Sequence, residues 1–303
     1  MKKILYSKKA APYVFILPFV VTFAVFWLIP LVKSGIMSTE KILPGQETFI
    51  GLDNFTRLFG DRVFKVAVMN SFKYMIFTLI LLIPIPMFLA CLVNSKLVSG
   101  KVSGKIKGLF KSSLFVPALT SVVVAGTIFR LMFGEMDTAL MNQVIGVFGM
   151  EPVKWLKGAT TGFIALLTLA CWRWWGVNMM YFLSGLQSIP EDYYEAASID
   201  GATTWQKFTK ITIPQLKPTI VYVLTISIYG GLAMFNESYM LYQGNNSPNN
   251  IGLTIVGYLY RQGIEKNDMG YASAVGIVLL VIVLAINITQ LVATGTFKKE
   301  EDR

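Results

Sequence analysis

Glu195-Ala196-Ala197-Ser198-Ile199-Asp200-Gly201-Ala202, running on through Phe208 and Ile211 to Ile213-Pro214, is the stretch on which the reading of this chain turns. It is polar and rich in small residues, yet it lies between two apolar stretches long enough to cross a bilayer. Ser188 and Glu191, just upstream, stand at capping-box spacing, and Pro190 falls in the first turn, where its missing N–H does no harm. Ala196 and Ala197 favour helix. Gly201 can take the left-handed conformation that ends one. A second short helix fits 204–210, and Ile213-Pro214 with Lys217-Pro218 closes the unit. The pattern predicts a helix-Gly-helix elbow within the loop 187–218. Such an insert between membrane spans implies that something docks there; the plainer reading is an interfacial helix hairpin.

Hydrophobic residues make up 54% of the chain and charged residues 15%, against about 25% charged in average soluble domains. A spanning helix needs about 20 mostly apolar residues. Six segments qualify: 13–32, 66–93, 112–133, 162–186, 219–242 and 271–294. A soluble protein burying six such helices would need far more polar covering sequence. The expected fold is therefore an all-α membrane protein with six transmembrane helices, forming one domain over 1–303. Pro84 and Pro86 are expected to kink the second span.

Orientation follows from the basic residues. With the N-terminus inside, the inner segments carry fifteen Lys and Arg and the outer loops nine. Positive residues favour the cytoplasm, so both termini are expected there. The long outer loop 34–65 contains Gly51-Leu52-Asp53-Asn54-Phe55, with Asn or Asp able to cap a short helix through Arg57-Leu58-Phe59. The inner loop 95–111 has five lysines and no acid. The net charge of +10 thus gathers on the inner face, where anionic lipid explains it better than nucleic acid does. The first segment is too long for a signal-peptide core and lacks a clear cleavage site, so it is read as a retained span. Cys91 and Cys171 both fall within spans and are read as packing residues.

The elbow resembles the signature of the integral membrane permease subunits of binding-protein-dependent ABC importers. Glu195, Ala196, Ala197, Asp200, Gly201, Ala202, Phe208, Ile211, Ile213 and Pro214 match it, and the Asp-Gly-Ala form preceded by Ile189-Pro190 is similar to the carbohydrate branch. Pro12-Tyr13 through Pro18, Pro30, Gly51-Leu52-Asp53-Asn54-Phe55, Phe115-Val116-Pro117, Leu186-Gln187-Ser188-Ile189-Pro190 and Met269-Gly270-Tyr271-Ala272-Ser273-Ala274 extend the likeness to the maltose- and glycerol-phosphate-type first permease. One departure is the outer loop Gln243-Gly244-Asn245-Asn246-Ser247-Pro248-Asn249-Asn250, where the family often has Gly-Gly-Pro.

The resemblance implies a multi-pass protein of the bacterial cytoplasmic membrane that forms a heterodimer with a second permease. It also implies two cytoplasmic ATPase subunits that bind ATP and Mg and receive the elbow in a groove. An extracellular solute-binding protein would deliver a carbohydrate, expected to be an oligosaccharide. No cofactor or metal is expected in this chain. The sequence lacks Gly-x4-Gly-Lys-[Ser/Thr], the phosphate cradle of an ATPase. It also has no histidine and no catalytic or metal-ligand cluster, so a transport role is expected rather than an enzymatic one. A self-sufficient secondary transporter is the competing class, but no repeat of the kind such proteins show is visible.

A charge at mid-bilayer is costly and usually faces a partner or a cavity. Arg173 lies near the middle of the fourth span, within Trp172-Arg173-Trp174-Trp175-Gly176-Val177-Asn178. Sugars offer C–H faces to aromatic rings and hydroxyls to polar groups, so Trp172, Arg173, Trp175 and Asn178 are candidates for a sugar path. The other reading is helix packing, with Arg173 paired to an acid or to carbonyls. Asn236 and Glu237, late in the fifth span, are the second candidates. Glu237 either binds substrate hydroxyls or pairs with a cation such as Arg130 or Lys73. Lys73 and Arg130 themselves lie near span ends and can snorkel.

Overall fold

The computed structural model describes residues 10–43, 46–94 and 104–297. Lys96 and Lys101 of the inner loop, the N-terminal Lys2, Lys3, Lys8 and Lys9, and Lys298, Lys299 and Arg303 lie outside the described residues. The chain divides into two compact units, residues 1–62 with 259–281, and residues 63–258 with 282–303.

In the first unit, α1 (Ala11–Met37) is apolar on every side, and none of its side chains is buried. Such a helix suits hydrocarbon on all faces. A hairpin follows, β1 (Glu40–Leu43) antiparallel to β2 (Gln46–Phe49), and then α2 (Asp53–Gly60). The expected side-chain cap of α2 does not form. Leu52 is its N-cap, and buried Asn54 instead donates to the carbonyls of Ser38 (3.0 Å) and Glu40 (2.9 Å). There its amide joins α2 to the start of the hairpin. Arg57 of α2 pairs with Asp268 at 2.8 Å and lies over the ring of fully buried Tyr271.

The second unit is built around α7 (Ala159–Gln187). Packed against it are α3 (Arg62–Asn94), α4 (Gly104–Leu119), α5 (Val122–Met132), α10 (Lys217–Leu232) and α11 (Asn236–Tyr242). Two apolar clusters occupy the two ends of α7. One joins Ala165, Leu166 and Leu169 to Phe129, Phe133 and Leu241. The other joins Met179, Phe182 and Leu186 to Ala90, Leu216 and Val223. The stretch of α7 between them carries Arg173 and Asn178. Glycine lets the helices approach closely: a Cβ on Gly176 would fall on the Leu114 carbonyl of α4, and one on Gly231 would meet the backbone of Met75. The remaining elements are α6 (Leu140–Gly146), α8 (Glu191–Ile199), α9 (Thr204–Gln215), α12 (Ile255–Tyr260) and α13 (Met269–Ala293).

Two predicted spans are not continuous helices. The segment 112–133 is two helices bent by 98°, because Ser121 takes an extended conformation (φ −52°, ψ 133°) between α4 and α5. The segment 219–242 breaks after Gly230-Gly231, a pair of poor helix formers. There Phe235 leaves helical geometry (φ −144°, ψ −56°) before α11 begins. Among the described residues three helices, α1, α3 and α13, are long and apolar enough to cross a membrane, and five if α4–α5 and α9–α10, the latter bent by 65°, each count as one. The 29-residue α7 is long enough, but Arg173, Asn178 and its three tryptophans lower its hydropathy.

Candidate functional site

Two places in the second unit carry the residues singled out by sequence. The first is a cavity of about 670 Å³ at the polar middle of α7. Both helix breaks open onto it: Thr120 and Ser121 between α4 and α5, and Ala233, Met234 and Phe235 between α10 and α11. Irregular backbone at membrane depth is tolerated where it is buried in protein or lines a cavity, since lipid cannot satisfy the freed N–H and C=O groups.

Across this cavity Arg173 Nη1 donates to Glu237 Oε1 at 2.7 Å. The two side chains are only 12% and 11% exposed, so little water screens them. Each removes the penalty of burying the other; one left alone would cost about 3–5 kcal/mol. Of the readings open for these residues, Arg173 does pair with an acid, and the cation beside Glu237 is Arg173 in place of Lys73 or Arg130. The Lys73 ammonium instead sits 4.3 Å from the centre of the Phe163 ring. Arg173 also lies 5.4 Å from the ring of Trp174, within cation–π range. Its Nε is buried with no hydrogen-bond partner among the described residues.

Of the six path candidates, Arg173, Asn178, Asn236 and Glu237 line the cavity. Trp172 and Trp175 are not among its lining residues. Trp172 packs its ring on Phe129. Trp175 Nε1 donates to the Leu81 carbonyl at 3.3 Å, and Asn178 Nδ2 donates to the Leu82 carbonyl at 2.7 Å. The second of these bonds replaces one of the donors that α3 loses at its prolines. Pro84 and Pro86 have no N–H, so the carbonyls four residues earlier, Ile80 and Leu82, lose their helical donors. Asn178 of α7 supplies the missing bond at Leu82, and Trp175 adds one to the neighbouring Leu81 carbonyl. Sequence reasoning passed over Trp174 and Tyr181, which line the cavity. The signal was present: 174, 178 and 181 follow i, i+4, i+7 spacing and share one helix face, from which 172 and 175 are turned away.

The second place is the elbow. Helix α8 ends in a Schellman motif: the Ala202 N–H reaches the Ala197 carbonyl at 2.9 Å, and the Gly201 N–H reaches Ser198 at 3.2 Å. Gly201 has φ +73°, as the turn demands. Helix α9 then opens with a capping box. Thr203 Oγ1 accepts from the Gln206 N–H, and Gln206 Oε1 accepts from the Thr203 N–H. The box expected at Ser188 and Glu191 is absent: Pro190 is the N-cap of α8, and the Ser188 hydroxyl donates back to Gly185. The proline holds the extended entry to the helix by itself. The Thr-x-x-Gln spacing at 203–206 was legible and was missed.

The two arms are tied together. Lys207 Nζ donates to Ser198 Oγ at 2.6 Å, and the hydroxyls of Tyr194 and Thr212 meet at 2.9 Å. Glu195, Ala196, Asp200 and Gly201 are exposed; Ala197, Ala202, Phe208 and Ile213 are half-buried; Pro214 is exposed. Pro214 deprives Lys210 of its helical donor, and the helix widens to a π-turn over Phe208–Thr212. Two large apolar side chains protrude from this otherwise polar hairpin, Ile199 at 88% and Trp205 at 70% exposure.

Residues 66–294 match the family described as the binding-protein-dependent transport system inner membrane component. The chain belongs to this family. Arabinooligosaccharides transport system permease protein AraP of Bacillus subtilis (strain 168) is 53% identical over 299 residues, covering 99% of this chain and 93% of that protein. Lactose transport system permease protein LacF of Rhizobium radiobacter is 31% identical over 284 residues, covering 93% of each. Among solved structures, a bacterial ABC transporter involved in the import of the acidic polysaccharide alginate superposes with a TM-score of 0.81 at 25% identity, over 95% of this chain and 96% of that one. This chain is thus a multi-pass permease subunit of an ABC transport system in the cytoplasmic membrane, a transport component and not an enzyme.

Proposed function

We propose that this chain is one of two permeases that together form the path of an ATP-driven oligosaccharide importer. The observation that carries the reading is the cavity at the two helix breaks. Its volume lies within the range of about 300–1,000 Å³ of small-molecule sites. Trp174 and Tyr181 offer aromatic faces for sugar C–H groups, and Thr78, Ser227 and Asn236 offer hydrogen bonds for hydroxyls. The likeness to an arabinooligosaccharide permease supports the substrate class.

Residues 1–303 act in this proposal as a single permease domain with six spans, the bent pair α4–α5 and the interrupted segment α10–α11 each crossing once, and both termini in the cytoplasm. The elbow then lies on the cytoplasmic face. Exposed Ile199 and Trp205 are suited to an apolar groove on an ATPase subunit. Glu195, Ala196, Ala197, Asp200, Gly201, Ala202, Phe208, Ile213 and Pro214 shape the docked hairpin. ATP and Mg bind to the two ATPase subunits, and an extracellular solute-binding protein presents the sugar. The solved alginate transporter, described in complex with an alginate pentasaccharide-bound periplasmic protein, supports this division of labour.

The test is reconstitution in liposomes with the second permease, the ATPase subunits and the binding protein. ATP-dependent uptake of arabinotriose is expected and should vanish when the second permease is omitted. Full uptake without it would refute the heterodimer. No uptake of any arabino- or galacto-oligosaccharide by the complete assembly would refute the substrate class.

A further inference from the structure

We infer that the Arg173–Glu237 pair makes the transport cavity selective for uncharged oligosaccharides, by cancelling the formal charges that line it. The inference rests on the reading of this cavity as the sugar path. Twenty-one residues line it, and only Arg173 and Glu237 carry charge. They neutralise each other at 2.7 Å, leaving aromatic rings, hydroxyls and amides to meet a ligand. The adjoining smaller cavity, of about 200 Å³, contains two more cations, Lys73 and Lys157. Lys157 is paired with Glu135 at 2.7 Å, and Lys73 rests on the face of Phe163, outside the larger cavity's lining.

The physical consequence concerns desolvation. A neutral sugar entering the cavity exchanges its water for hydroxyl and aromatic partners at little net penalty. A uronic acid must give up the hydration of its carboxylate and finds no uncompensated cation among the residues that line this cavity. The one cation lining the cavity, Arg173, has its charge answered by Glu237 and is held there by the same low dielectric that makes the pair strong, so its remaining N–H groups offer hydrogen bonds without net charge. An amino sugar meets the mirror-image obstacle at Glu237. The pair therefore discriminates against both signs of charge while binding neither kind of sugar itself.

Selectivity should then follow the charge left unpaired. In Glu237→Gln, Arg173 is free to receive a carboxylate. In Arg173→Gln, Glu237 is free to receive an ammonium. The double variant is neutral again. The measurement is equilibrium binding to the assembled permease–ATPase complex in nanodiscs, without the binding protein, whose own preference would mask that of the cavity. The probes are arabinotriose, trigalacturonate and, at mildly acid pH, a glucosamine trimer. Trigalacturonate affinity relative to arabinotriose should rise at least about tenfold, ~1.4 kcal/mol, in Glu237→Gln. The gain should weaken with added salt. Arg173→Gln should shift preference toward the glucosamine trimer by a similar factor, and the double variant should return to wild-type ranking.

A merely structural role cannot produce shifts of opposite sign. Should the single variants fail to assemble, Ser227→Lys tests the same point with the pair intact, since Ser227 lines the cavity and a lysine there adds one unpaired cation. It too should raise trigalacturonate affinity about tenfold. Unchanged ranking in the variants, with arabinotriose still bound, would overturn charge selection and leave the sugar path standing. Absence of binding by all probes to wild type and variants would overturn the path and the inference together.

Discussion

Replacing Gly201 isolates the backbone of the elbow from its side chains. The residue has φ +73°, and a Cβ added there meets no atom within 4 Å. Any effect of substitution is therefore conformational and not a clash. A left-handed conformation costs an ordinary L-residue about 1–2 kcal/mol, and asparagine noticeably less. A β-branched residue is the least tolerant. In Gly201→Val this strain opposes the Schellman bonds from Ala202 to Ala197 and from Gly201 to Ser198, each worth about 0.5–1.5 kcal/mol net. The folded hairpin should then lose roughly a factor of 5–30 in population relative to alternatives. Gly201→Asn should stay close to wild type, and Gly201→Ala should fall between. The assay pairs binding-protein-stimulated ATP hydrolysis with arabinotriose uptake in the reconstituted complex. Uptake per ATP should fall in the order Gly, Asn, Ala, Val, while thermal unfolding of the membrane-embedded helices stays unchanged. Equal damage by Asn and Val would show that the glycine serves close approach to a partner and not its dihedral angle. Wild-type coupling in Val would remove the elbow from the coupling pathway.

Asn178→Leu should lower thermal stability by about 1–3 kcal/mol, because the Leu82 carbonyl beside Pro86 loses its donor; unchanged melting of the complex would contradict that role. Gly176→Val should disrupt packing between α7 and α4, since its Cβ would fall on the Leu114 carbonyl, whereas Gly108→Ala, with open space around it, should be neutral or stabilising by up to about 1 kcal/mol. Yield and monodispersity of the purified complex read both. Ile199→Ser with Trp205→Ser should weaken co-purification of the ATPase subunits at least about tenfold, ~1.4 kcal/mol. Equal recovery would mean that the ATPase grips a different face of the hairpin.

The elbow was the most legible part of the chain, because its signals are local. A glycine at a helix end and small residues before it specify their own geometry within a few positions. Even there the cap was misplaced: proline can hold an extended entry without help from Ser188, while the working box lay fifteen residues on at Thr203 and Gln206. The spans were legible as apolar lengths, but the two breaks were not. Hydropathy averages over a window, and the departure at Ser121 or Phe235 is a change of one or two dihedral angles within segments that stay apolar. The charged residues were recognised as requiring partners, yet their partnership was not readable. Arg173 and Glu237 lie 64 positions apart, and Glu237 stands in the first turn after the break before α11.

That last point ties the polar residues of α7 to the irregular helices around them. Asn178 and Trp175 complete the kink that prolines impose on α3. Arg173 ties α7 to the first turn of α11 just beyond the broken end of α10. A long helix with a polar middle would be a liability in lipid; among three interrupted neighbours its polar groups find partners, two α3 carbonyls and the Glu237 carboxylate. The same interruptions leave the space at its centre. Cavity and polar stripe are therefore two consequences of one arrangement, and substitutions that relieve the breaks should shrink the cavity. Pro84→Ala with Pro86→Ala restores both helical donors in α3 and removes the need for Asn178 to reach Leu82. In that background Asn178→Leu should cost less than it does alone, a coupling of about 1 kcal/mol or more in a double-mutant cycle of thermal stability. Additive losses would mean that Asn178 and the prolines act independently, and that the kink is held by packing alone.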